Sequence, residues 1–339
     1  MLLAIDVGNT NTVLGLYRLA KSGAPSTASP DAVIPTEAGR KRGEAEGPPH
    51  SNKSSTELLA DWRVTTPRTV TVDEIGIILR DLFALRSFSL ADVTGVVVSS
   101  VVPPIDSTLR RALETYCRVK PLFVEPGVRT GVPVLIDNPS EVGADRIVNC
   151  VAAHDLFKSQ NDLSFRGARP ENAGTSAEES ASPRSNPEPH PHIIVVDFGT
   201  ATTFDVISPR GEYLGGAIAP GLGISADALF TRAARLPRVD IRKPPKVVGT
   251  NTVDHLQIGL YYGYIGLVDG ILERMIAELG PETRILATGG LASLIAGGSR
   301  YISQVDEHLT LTGLRLIYER NERSDRTPDR SHARSKPSS

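Results

Sequence analysis

Two stretches of the chain carry the residues best suited to phosphate chemistry. The chain begins MLLAIDVGNTNTVLGLY, and IIVVDFGTATTFDVIS repeats the pattern from Ile193 onward. In each, an apolar run ends in an aspartate, a glycine and a cluster of threonines. Aligned on the aspartates, Asp6 matches Asp197, Gly8 matches Gly199 and Thr12 matches Thr203, with Asn9, Thr10, Thr200 and Thr202 filling the turns. A single Asp-x-Gly fits an ordinary hairpin turn. A carboxylate at the end of a buried strand, however, needs a cation or donors to satisfy it. Glycine-exposed backbone N–H groups and hydroxyls suit phosphate oxygens. Two such loops facing each other across a cleft would clamp a nucleotide phosphate chain and its metal.

The chain has no GxxxxGK[ST] and no protein-kinase set of HRD with DFG, so the P-loop and protein-kinase solutions are excluded. The two loops contain no Lys or Arg. Neutralising a triphosphate there calls for Mg²⁺ together with backbone and hydroxyl donors.

The elements that must position these loops read as alternating strands and helices. LLAIDVG and TVLGLYRL form a hairpin around GNTN, and LLADWRVTT resumes as a third strand. Thr71 followed by Glu74 makes a capping box for the helix TVDEIGIILRDLFAL. GVVVSSVV reads as a strand buried on both faces, Pro103 and Pro104 lead into the helix IDSTLRRALETYC, and VKPLFV is a short strand. In DNPSEVGADRIVNCVAAHDLF, Asn138 suits a cap, Pro139 the first helical position and Glu141 the third. That spacing places Gly143, Asp145 and Arg146 in the first two turns of a helix. The second half repeats the plan: strands over IIVVDFGTATTFDVIS and EYLGGAIAPG, helical stretches around 224–234 and 253–279, and the strand RILATGG. The repeat points to duplication of one strand-hairpin-strand unit followed by helices.

Three segments differ in composition. Residues 20–56, 159–191 and 321–339 are rich in Ser, Pro, Gly and charge and poor in large apolar groups, which predicts disorder. The remainder divides into lobes over 1–118 and 119–320, a size at which a single core has usually stopped growing. Loop closure grows only slowly costlier with length, so both internal segments can project from the surface.

The net charge of -2 and 40% hydrophobic content fit a globular protein without a field strong enough to recruit nucleic acid or an anionic membrane. No run approaches the length of a membrane span, and the N-terminal apolar run lacks a basic flank and a cleavage site, so a cytoplasmic location is expected. Cys117 and Cys150 lie in apolar helical stretches and read as small buried hydrophobes. His154 and His255 have no partners at metal-ligand spacing, and His190 and His192 fall in a segment expected to be disordered.

The paired Asp-x-Gly loops and the late ATGG turn at 287–290 resemble the actin, sugar kinase and heat-shock ATPase superfamily. Within it, DVGNTNT, SSVVP, NPSEVGADRIVN, VVDFGTATTFD, GGAIAPG, GTNT and ATGGLA are similar in kind and order to type III pantothenate kinase. The resemblance implies an α/β fold of two ribonuclease H-like lobes, each a mixed sheet flanked by helices, with an interlobe nucleotide cleft. It implies ATP binding by Asp6, Val7, Gly8, Asn9, Thr10, Asn11, Thr12 and Val13, with a further ATP contact at Thr200. It implies a monovalent cation, K⁺ or NH₄⁺, at Asp197, alongside the Mg²⁺ carried with ATP.

Pantothenate is expected at Gly143, Ala144, Asp145, Arg146 and Thr252, with Asp145 as proton acceptor and Arg146 near the substrate carboxylate. The reaction implied is ATP-dependent formation of 4'-phosphopantothenate, the first step of coenzyme A biosynthesis. The resemblance also implies a homodimer with its site near the subunit interface, and the glycine-bearing run LQIGLYYGYIGLVDGILERMIAEL is a candidate contact helix. A non-catalytic regulatory relative, or a kinase of the same superfamily acting on another small alcohol, are the competing readings. Retention of Asp6, Asp145, Asp197 and Thr252 weighs against the first, and the GADR and GTNT matches against the second.

Overall fold

The computed structural model describes residues 1–19, 56–167, 191–233 and 236–325. The disorder expected of 20–55, 168–190 and 326–339 lies outside the described residues.

Strands β1 (Leu2–Val7) and β2 (Asn11–Arg18) form the first hairpin, and β3 (Glu57–Thr65) pairs antiparallel with β2. Strands β4 (Gly95–Ser100) and β5 (Leu122–Phe123) extend the sheet in parallel on the other side of β1, giving the order β3-β2-β1-β4-β5. The second sheet contains β6 (Ile193–Phe198), β7 (Ala201–Ile207), β8 (Tyr213–Pro220), β9 (Arg284–Thr288) and β10 (Gln304–Val305). Its order, read from β8, is β8-β7-β6-β9-β10, which is the order of the first sheet. The sequence echo is therefore a repeat of a complete ribonuclease H-like sheet.

The helices α1 (Val72–Leu85) and α2 (Pro103–Ala112) cover the outer face of the first sheet. The capping box of α1 forms as its sequence requires, with Thr71 accepting from Glu74 N–H and Glu74 accepting from Thr71 N–H. On the far side, α4 (Leu222–Arg232), α5 (Thr252–Leu279) and α6 (Ala292–Ala296) flank the second sheet. Between the sheets lie α3 (Ala144–Gly167) and α7 (Leu309–Asp325). Leu2, Ala4 and Val97 from the first sheet and Ile193, Val195 and Leu286 from the second bury against Val148, Val151 and Leu314 of these two helices. A helix clasped on both sides needs apolar residues all round, which is why Ile147 to Ala153 are buried without a break. Cys150 and Cys117 are buried and free, as their apolar surroundings suggested.

Four local expectations change. Helix α3 begins at Ala144, because Val142 is extended; Asn138 instead caps a separate 3₁₀ turn at Pro139–Glu141 by accepting from Ser140 N–H. The helix then continues to Gly167, into the segment expected to be disordered from 159, since extending a helix costs far less than nucleating one. Likewise α7 runs on through the expected tail boundary at 321. Asn321 is docked there: its amide donates to Arg129 C=O, and its side-chain oxygen accepts from Arg129 N–H. Finally, β5 joins the first sheet beyond residue 118, and α7 brings the end of the described chain back against β1, β2 and β4.

Candidate active site

The two Asp-Gly hairpins meet at their tips, where the Thr10 and Thr200 hydroxyls are 2.7 Å apart. Strand register refines their equivalence. In the first hairpin Asp6 pairs with Val13 and Val7 with Thr12; in the second Asp197 pairs with Thr203 and Phe198 with Thr202. Both turns close by the same bond, Gly8 N–H to Asn11 C=O and Gly199 N–H to Ala201 C=O, so the first loop is one residue longer. Thr12 thus corresponds to Thr202, not to Thr203 as linear alignment suggested. Thr202 is buried and bonded to the Tyr264 hydroxyl of α5, while Thr12 is bonded to Thr66. Thr66 also donates to Gly8 C=O through its hydroxyl and to Thr10 C=O through its N–H, fastening the first loop to the end of β3.

Behind the tips opens a cleft of about 590 Å³. Asp6, Gly8, Asn9, Thr10, Asn11 and Val13 line one wall; Asp197, Thr200 and Thr203 line the other; Asp145 reaches in from the first turn of α3. Of the residues singled out in the sequence, Val7 is buried in the core beneath the loop. Thr12, Gly143, Ala144, Arg146 and Thr252 do not line this cleft. Thr252 is exposed at the start of α5, next to Asn251, which caps that helix by accepting from Asp254 N–H.

The carboxylates dominate the electrostatics. Burial, reinforced by the charges of Asp145 and Asp197, pushes Asp6 up to about 8, against the pull of Ser99 and Arg63. Asp197 is pushed up to about 7 by burial and then by Asp145, with the hydrogen bond from Asn149 acting the other way. Burial also raises Asp145, opposed chiefly by the N–H of Arg146, which donates to its Oδ1 at 2.8 Å.

Glycines make room for these groups. A Cβ on Gly143 would sit 2.5 Å from Asp145 Oδ1, so the carboxylate can fold back over this position only because it is glycine. Gly289 has φ +93°, and a Cβ there would lie 2.6 Å from Asp197 Oδ1.

Four residues of the site escaped sequence reasoning. Arg146 pairs not with its neighbour Asp145 but with Asp205, fully buried on β7, through Nε and Nη2, both 2.7 Å from Oδ1. Thr203 and Tyr213 also donate to Asp205, at 2.8 and 3.1 Å. The signal was present in TTFD, since a carboxylate inside an apolar strand demands a partner. Asn149, one turn along α3 from Asp145, donates to Asp197 Oδ2 at 3.1 Å and accepts from Thr310 at 2.7 Å. Thr66 had no signal beyond its place after β3. Arg63, on β3, lines the cleft and supplies a cation that the loops themselves lack.

The donors facing the cleft are hard carboxylate oxygens, and among the described residues no cluster of three or more metal-ligating side chains is preformed. That set fits Mg²⁺, which is commonly held by one or two carboxylates together with substrate phosphates. Among the described residues no helix is long and apolar enough to cross a membrane.

Paired five-stranded sheets of one strand order, with carboxylates converging on a cleft between matched hairpins, define a two-lobe α/β fold of ribonuclease H-like halves. Comparison with known proteins narrows the class. The family model for type III pantothenate kinase matches residues 52–164 and 182–274. A type III pantothenate kinase of Koribacter versatilis is 50% identical over 96% of this chain and 98% of its own. The one from Myxococcus xanthus is 48% identical over 96% and 100%. The solved inorganic polyphosphate/ATP-glucomannokinase of Arthrobacter sp. strain KM aligns over 94% of this chain and 98% of its own, at 12% identity and a TM-score of 0.40. The chain belongs to the type III pantothenate kinase family.

The raised carboxyls set a sign for pH dependence. Between the ordinary aspartate value of 3.8 and about 8, folded Asp6 keeps a proton that the unfolded chain has released, so its contribution to stability falls as pH rises through that window. In the metal-free protein Asp6→Asn should therefore raise the melting temperature at pH 8 and leave it nearly unchanged near pH 4. An equal change at both pH values would show that Asp6 ionises normally.

Proposed function

We propose that the chain phosphorylates pantothenate at the expense of ATP, in the cleft between the two hairpins, as the first step of coenzyme A biosynthesis. The observation that carries this reading is the convergence of Asp6, Asp145 and Asp197 on one cleft, in a chain of the type III pantothenate kinase family. The residues of the first loop from Asp6 to Val13, with Thr200 opposite, hold the nucleotide phosphates through backbone N–H groups and hydroxyls. Asp6 and Asp197 are the carboxylates suited to cations, with Asp197 assigned to K⁺ or NH₄⁺. Bound Mg²⁺ neutralises charge on the transferring phosphoryl group.

Asp145 is the general base. Its carboxylate accepts the proton of the primary hydroxyl of pantothenate as that oxygen bonds to the γ-phosphorus, and the bond to the β-γ bridging oxygen breaks to release ADP. Burial raises this carboxyl above an ordinary aspartate, which makes it a stronger proton acceptor. Gly143 and Ala144 shape the approach to it. Arg146 holds Asp205 through two of its nitrogens, and we assign its guanidinium to the substrate carboxylate.

Thr252 belongs to the same substrate site through a second copy of the chain. Gly259, Gly263 and Gly266 lie on the exposed face of α5, and a Cβ on any of them would meet nothing within 4 Å. Each glycine costs a helix interior about 1 kcal/mol, a cost that close approach of a second helix would justify. Val253 and Leu267 are exposed on the same helix. A homodimer through this face would bring Thr252 to the neighbouring copy.

Purified protein should release ADP from Mg-ATP only when pantothenate is present, and faster with K⁺ or NH₄⁺ than with Na⁺. Asp145→Asn should bind ATP normally yet lose turnover by at least about 100-fold, the scale of general-base catalysis. Absence of pantothenate-dependent turnover in the wild type would reject the kinase reading, and full turnover in the variant would reject the base. In sedimentation velocity the wild type should migrate at twice the 36.3 kDa chain mass, and Gly263→Leu as a folded monomer. A monomeric wild type, or an unchanged dimer in the variant, would contradict the α5 contact.

A further inference from the structure

Arg63 is a cationic side chain that neither the nucleotide loops nor the substrate segment supplies. Strand alternation fixes its direction. Its neighbour Trp62 is buried in the outer core, stacked on Phe83 with ring centroids 5.3 Å apart, and Val64 packs against the same core. Arg63, between them, is turned to the cleft face, opposite Val13 at the end of the first loop.

From this edge strand of the first sheet, Arg63 reaches the second. Its Nη1 lies 3.2 Å from where a Cβ on Gly290 would stand, at the turn after β9. Its positive charge also favours the ionised forms of both Asp6 and Asp197, one from each hairpin. Arg63 thus stands beside the Gly289-Gly290 turn with its charge favouring the ionised form of both loop carboxylates.

The charge balance of the cleft shows what such a residue is for. Five carboxylates line it, those of Asp6, Asp145, Asp197, Asp227 and Glu307, whereas Arg63 is its only Lys or Arg among the described residues. Most of the five are already engaged within the protein: Asp227 pairs with Arg238, Glu307 accepts from Ser293, Asp197 accepts from Asn149, and Asp145 accepts from Arg146 N–H. Arg63 is exposed, and its guanidinium makes no hydrogen bond or ion pair among the described residues. A guanidinium presents a planar fork of donors that matches phosphate oxygens and keeps its charge at any working pH.

We propose that Arg63 is a ligand of the nucleotide polyphosphate, holding its oxygens from the β3 side and linking the first sheet to the Gly289-Gly290 turn over the bound nucleotide. This rests on the cleft being the nucleotide site. The residue's work is selective for phosphates: it discriminates ATP and ADP from adenosine, and leaves the pantothenate side of the site alone.

Calorimetric titration of the wild type, Arg63→Lys and Arg63→Gln with Mg-ATP, Mg-ADP and adenosine tests the proposal, with steady-state KM values for both substrates as the second readout. A charge-assisted contact of this kind corresponds to a loss of about 10- to 100-fold in ATP and ADP affinity for Arg63→Gln, with partial recovery in Arg63→Lys. Affinity for adenosine and KM for pantothenate should stay within about twofold, and thermal unfolding of the exposed-site variants should match the wild type. Unchanged ATP affinity in Arg63→Gln, or an equal loss for ATP and adenosine, would overturn the proposal. If the wild type itself binds no Mg-ATP, the nucleotide-site reading fails first, which is a different outcome.

Discussion

Three carboxylates held close together in a recess set the terms for the rest of the molecule. Asp6 and Asp197 end the central strands of the two sheets, and Asp145 enters from the helix between them. Burial, reinforced by the charge of Asp145, pushes Asp6 up to about 8 and Asp197 up to about 7. Such a site is unstable as a charged object until cations enter. In the function proposed above, bound nucleotide would supply them, because Mg²⁺ travels with the phosphates. The fold must therefore keep three like charges aimed at one space and prevent the chain from relaxing away.

The central helices provide that restraint. Helix α3 is buried on every side over Ile147 to Ala153 and is clamped between the sheets, so Asp145 at its start cannot drift. The buried Arg146–Asp205 pair ties the same turn of α3 to β7. Breaking such a pair by removing one member leaves a buried charge without a partner, which typically costs about 3–5 kcal/mol. Asn149 connects α3 to Asp197, and through Thr310 to α7. One helix thus positions a carboxylate of its own and braces one from the second lobe.

Much of the frame was legible in the chain. The hairpins, the capping box at Thr71 and Glu74, and the duplication all follow from period, turn chemistry and the repeat of Asp-x-Gly. The repeat could not reveal that the two loops differ by one residue, because linear alignment on Asp6 and Asp197 carries no register; only the pairing of Val7 with Thr12 and Phe198 with Thr202 does. The ends of α3 and α7 were misplaced because their polar residues resemble linker composition, yet a helix already nucleated extends through such residues. Arg63, Asn149, Asp205 and Thr66 were hidden for a common reason. Each acts on a residue 48 to 59 or more positions away, or across the cleft, and tertiary contacts of that kind leave no spacing in the sequence.

The central claim is that Asp6 keeps its proton through neutral pH until a nucleotide-borne cation arrives. Carboxyl ¹³C NMR of aspartate-labelled protein, titrated with and without a non-hydrolysable Mg-ATP analogue, tests it most directly. The account predicts an aspartate signal titrating near 8 in the free protein, absent in Asp6→Asn, that moves toward about 4 on nucleotide binding. Ordinary acidic titration of every aspartate in the free protein would contradict it.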